Sequence, residues 1–111
     1  MILTKAQEEA LNWTQEEAAE VIQIISKIKR HGMESYHPHV ENACSNQEEL
    51  KRELSDLMLA ICTICDLKVV NRGEVMNGVF KKAILLENEN YFHHLEFKNL
   101  KAYPLDNKSN I

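Results

Sequence analysis

Only three glycines and two prolines punctuate the 111 residues. A many-stranded β fold needs frequent turn signals, so this scarcity makes long helices the natural reading. The stretch TQEEAAEVIQIISKI, residues 14 to 28, carries the matching apolar rhythm. With Trp13 as origin and about 100° per residue, Ala10, Val21, Ile24 and Ile28 fall between roughly 20° and 80° on the helical wheel.

The first helix is expected from about Thr4, a good N-cap, to about Arg30, where cations and Gly32 close it. Ser45 with Glu48, or Asn46 with Glu49, has the spacing of a capping box and opens a second helix that should reach about Val70. The NRG at residues 71–73 reads as a break, and a third helix follows from about Glu74 to Tyr91. Residues 33–46 have no period and contain Pro38, which makes them a long loop. The nearby His31, His37 and His39 lack the partner spacing of a zinc finger.

The expectation is an all-α helical bundle of three main helices in a single domain, 1–111, with 95–111 as a partly ordered tail. In the second helix LMLAICTIC is apolar nearly all round, more than a thin bundle covers, so completion as a homodimer or homotetramer is expected. Its Cys62 and Cys65 have CxxC spacing, but without a partner pair they read as core residues, and three cysteines make no disulfide framework. A formal charge of −4 argues against nucleic acid polymers and anionic membranes as partners. With no signal-peptide pattern and no long apolar run, a cytoplasmic location is expected.

Against this ordinary background the acidic residues are misplaced. Glu17 falls at about 40° on the same wheel, inside the apolar stripe, and Glu20 at about −20°, on its border. Glu53 and Asp56, three apart on the second helix, continue into Leu57, Ala60, Ile64 and Leu67 along one face. Four carboxylates meeting between two helices repel one another and need protons or a cation. An all-oxygen donor set selects a hard ion, Mg²⁺ or Mn²⁺. A di-iron site would want Glu-x-x-His, whereas Gln23 follows Glu20 and Asp56 follows Glu53 at that spacing.

EEAAE on one helix followed by ELSD on the next resembles the EExxE and ExxD motif of the MazG-like all-α nucleoside triphosphate pyrophosphohydrolases, over roughly residues 11 to 91. The resemblance implies Mg²⁺ held by Glu17, Glu20, Glu53 and Asp56, and cleavage of a nucleoside triphosphate between the α and β phosphorus atoms. It places Glu16 at the first Glu of EExxE, where it is the candidate acceptor of the water proton or simply a solvated surface residue. Arg52 stands where many members carry a second acidic residue before ExxD, and KKAILLENENYFHH departs from the usual end of the third helix. Candidate substrate contacts are Arg72, Lys81, Lys82 and Asn88, the cations being alternatively helix-end charges, and Trp13, either a core residue or a stacking surface for a base. Phosphoribosyl-ATP pyrophosphohydrolase is the enzymatic alternative, and a noncatalytic helical dimer the alternative of another class.

Overall fold

A computed structural model describes residues 1–97 of the chain. It contains three α-helices, α1 (Lys5–His31), α2 (Asn46–Asp66) and α3 (Arg72–Asn88), and no strand among the described residues. No helix among them is long and apolar enough to cross a membrane. Most of the tail expected to fray, residues 98–111 of 95–111, lies outside the described residues.

Local chemistry sets the helix ends. Thr4 and Gln7 form a reciprocal capping box at the start of α1, the Thr4 hydroxyl accepting from Gln7 N at 3.1 Å and Gln7 Oε1 accepting from Thr4 N at 2.9 Å. At the other end Gly32 takes φ 91°, in the region that favours glycine, and its N–H reaches Ile28 O at 2.7 Å. Ser45 caps α2 by accepting from Glu48 N, while the Glu48 carboxylate turns to Lys51 at 3.2 Å.

Three boundaries differ from the sequence expectation by two residues or more. Helix α2 ends at Asp66, short of Val70, because Lys68 adopts a left-handed φ of 65°. Its N–H bonds Cys65 O, and Val69 N–H bonds Ile64 O, the paired bonds of a Schellman stop with lysine in the place usually given to glycine. The NRG segment opens a helix instead of breaking one: Asn71 is the N-cap of α3, accepting from Glu74 N at 3.0 Å. Helix α3 stops at Asn88, before Tyr91, where Asn90 turns left-handed at φ 50° in the same motif.

The chain forms two compact units, Met1–Val69 and Val70–Ile111. In the first, α1 and α2 pack antiparallel: Gln7 Nε2, near the start of α1, donates to Leu67 O just past the end of α2, and Asn46 Nδ2, at the start of α2, donates to Gly32 O. Buried Ala10, Ile24, Ala60 and Cys65 occupy this seam, the two alanines permitting close approach of the helices. Cys62, expected in the core beside Cys65, is only half-buried. Leu54, Met58, Leu59 and Ile61 of α2 and Ile22 and Ile25 of α1 remain exposed, so the apolar run of α2 is covered on one side only. Among the described residues the second unit contains α3, with Ala83 buried.

Candidate metal centre

Antiparallel packing in the first unit brings the EEAAE turn of α1 opposite the ELSD turn of α2. Glu17, Glu20 and Glu53 there place one carboxylate oxygen each within 4.8 Å of one another. Their surroundings differ: Glu53 is buried, Glu17 half-buried and Glu20 exposed. Half-buried Asp56 lies outside this tight trio but near enough to repel the charges of Glu17 and Glu20.

Each carboxylate has a different hold. Trp13, one helical turn before Glu17, donates its indole N–H to Glu17 Oε1 at 2.9 Å and so fixes that side chain. Glu53 Oε1 lies 3.8 Å from Arg52 Nε. The second oxygens, Glu17 Oε2 and Glu53 Oε2, are buried without any hydrogen-bond partner. Two orphaned anionic oxygens on facing helices are costly to bury unless a proton or cation meets them.

Two of the carboxyls bind protons more readily than an isolated carboxylate does. Burial pushes the Glu17 carboxyl above its ordinary pKa, opposed by the Trp13 hydrogen bond and reinforced by the Glu20 and Asp56 charges. Glu20 is also raised, first because its carboxyl shares a hydrogen bond with Glu53 and then because the Glu53 charge repels its own. The donor chemistry fits a hard divalent ion: oxygen atoms only, anionic, convergent and partly withdrawn from water.

The other candidate residues fall elsewhere. Glu16 is exposed on α1 and lines a shallow groove with Lys5, Glu8, Glu9, Asn12 and Trp13, outside the trio. Trp13 is half-buried, neither the closed core residue nor an unencumbered stacking surface, since its polar edge serves Glu17. Arg72, Lys81, Lys82 and Asn88 belong to α3 in the second unit, Lys81, Lys82 and Asn88 exposed and Arg72 half-buried. The sequence reading missed the bond from Trp13 to Glu17, whose signal was the four-residue spacing of an N–H donor and a carboxylate on one helix face.

Neither the curated proteins nor the solved structures give a match to the chain. A family model does: that of the MazG nucleotide pyrophosphohydrolase domain matches residues 5–88, from the first residue of α1 to the last of α3. The match takes in both acidic motifs and most of the chain, and the family is generally metal-dependent. With its helices, its paired acidic turns and this match, the chain belongs to the MazG nucleotide pyrophosphohydrolase family.

Proposed function

We propose that the protein is a Mg²⁺-dependent pyrophosphohydrolase, with Mn²⁺ as a substitute, that converts a canonical or modified (deoxy)nucleoside triphosphate and water to nucleoside monophosphate and pyrophosphate. Clearance or adjustment of the nucleotide pool in the cytoplasm is the role this chemistry suits. The observation that carries the reading is the pair of buried, unpartnered oxygens on Glu17 and Glu53, within a trio of carboxylates that α1 and α2 bring together.

Glu17, Glu20 and Glu53 would hold the ion, with Asp56 as the fourth carboxylate on the same side. When bound, a divalent cation supplies positive charge against the phosphate oxygens and acidifies water. The chain's own residues do the rest. Trp13 keeps Glu17 oriented, so that its second oxygen stays directed inward before substrate arrives. Glu16, exposed beside this turn, accepts the proton of the attacking water. The water oxygen bonds to the α-phosphorus while the bond to the α–β bridging oxygen breaks, and that oxygen leaves with pyrophosphate. Arg72, Lys81, Lys82 and Asn88 remain the candidate substrate contacts of α3.

The apolar residues left exposed on α1 and α2 favour a homodimer or homotetramer as the working form. Pyrophosphate release from a panel of nucleoside triphosphates and phosphoribosyl-ATP, with and without Mg²⁺, tests the function. Metal-dependent release from nucleoside triphosphates is expected. Release from phosphoribosyl-ATP alone would transfer the protein to that activity, and release from none would leave a noncatalytic helical module.

A further inference from the structure

Beside the carboxylate cluster, the last turns of α1, the loop after it and the first turns of α2 line an open cavity of about 630 Å³. Its permanent charges are Lys27, Arg30 and Arg52 against one carboxylate, Glu49. In a chain of net charge −4 this is a local reversal of sign. Lys27 and Arg30 have an ordinary reason to be there, because cations suit the C-terminal end of a helix dipole. Arg52 stands beyond the first turn of α2, where the dipole offers a cation nothing, and its neighbours there are the carboxylates of Glu49 and Glu53.

The guanidinium of Arg52 is lightly engaged among the described residues. Its Nη1 lies 3.8 Å from Cys44 Sγ and its Nε 3.8 Å from Glu53 Oε1. The first is a weak N–H to sulfur hydrogen bond and the second is longer than a charge-assisted N–H to oxygen bond, while a guanidinium carries five N–H donors. The first amides of α2 are already used: Asn46 N donates to Ser35 O at 2.8 Å, Gln47 N to Met33 O at 2.9 Å and Glu48 N to Ser45 Oγ at 3.2 Å. Anion recognition in this cavity therefore falls to the side chains. Arg52 also joins the cavity to the cluster, because the oxygen it faces belongs to Glu53, whose other oxygen is the buried, unpartnered one.

We infer that this cavity is the subsite for the departing end of the substrate, the β- and γ-phosphates that leave as pyrophosphate, with Arg52 as the principal contact and Lys27 and Arg30 behind it. The inference rests on reading the carboxylate cluster as the site of phosphoanhydride cleavage. A guanidinium next to a cation-holding carboxylate is placed to receive phosphate oxygens as they separate from the α-phosphorus. Lys27 now pairs with Glu49 at 3.5 Å, an exposed contact that a phosphate displaces at little cost. The volume is ample for a hydrated pyrophosphate.

Calorimetric titration of inorganic pyrophosphate into the full chain in the presence of Mg²⁺ tests it, alongside Arg52→Gln and Glu49→Gln. Arg52→Gln should weaken binding by ~10-fold or more, the loss of one charge-assisted contact, while Glu49→Gln tightens it by removing a repelling charge. Thermal stabilisation by Mn²⁺ alone should be undiminished in Arg52→Gln, showing that the cluster is intact. Pyrophosphate binding equal in all three proteins, or none in the wild type, overturns the subsite. Nucleotide hydrolysis whose KM and pyrophosphate inhibition are the same in Arg52→Gln also overturns it, while leaving the hydrolase reading standing. Arg52-dependent pyrophosphate binding in a protein that hydrolyses no nucleotide would do the reverse, upholding the anion subsite and sinking the hydrolase.

Discussion

Glu53 carries the greatest burden of any single side chain, because it alone of the trio is buried and one of its oxygens meets no donor. Glu53→Gln keeps the shape and removes the charge, so turnover should fall nearly to nothing while the helical circular dichroism persists; full activity would remove Glu53 from the metal site. Glu20 offers the complementary test. Glu20→Gln relieves the repulsion from Glu53 in the metal-free protein, so its melting temperature should rise, while the stabilisation given by added Mg²⁺ or Mn²⁺ should shrink. Melts that are identical for both proteins and unmoved by metal would reduce EEAAE to a solvated helix face. The same raised carboxyls set a pH dependence. Glu17 and Glu20 bind protons more tightly in the folded than in the unfolded metal-free protein, so folding draws stability from them below the ordinary carboxylate pKa. That contribution is lost as pH rises through their folded values, and saturating Mg²⁺ should abolish the loss. Thermal melts across the acidic range, with chelator and with metal, measure it.

At the scale of helices, starts were legible and stops were less so. Thr4 and Ser45 announce the starts of α1 and α2 through side-chain oxygens that satisfy the first amides, a purely local transaction. The stop of α2 falls on Lys68, whose left-handed backbone has no warning in its side chain. Lys68→Gly should therefore stabilise the protein by up to about 1 kcal/mol, the relief of a left-handed β-carbon outweighing the extra freedom of glycine in the unfolded chain. Denaturant unfolding of the two proteins reads the difference, and a destabilised variant would mean that the lysine side chain makes up for its strain. Asn71 reads as part of a break because Asn and Gly interrupt helices in general, yet an Asn placed before Glu74 is equally an N-cap. Only the end of α2 shows which role it plays.

Among the described residues the buried apolar side chains are few, Ala10, Ile24, Ala60 and Cys65 in the first unit and Ala83 in the second, while Leu54, Met58, Leu59 and Ile61 stay exposed on α2. Such a face in water favours association, so light scattering should report at least a dimer at micromolar concentration. Leu59→Glu should shift that equilibrium toward smaller species with helix content retained. A stably folded monomer of the unaltered chain would contradict the packing argument.

The sequence by itself determined the helical class, the starts of α1 and α2, and the sharing of one helix face by Glu17 and Glu20 and of another by Glu53 and Asp56, because periodicity and capping are written in near neighbours. Tertiary structure decided what depends on the meeting of α1 with α2. It separated the closely gathered trio from Asp56, left Glu17 Oε2 and Glu53 Oε2 without donors, and set Lys27, Arg30 and Arg52 around one cavity. Lys27 and Arg52 stand on different helices, and their common environment comes from antiparallel packing and the loop between them, which no local pattern encodes.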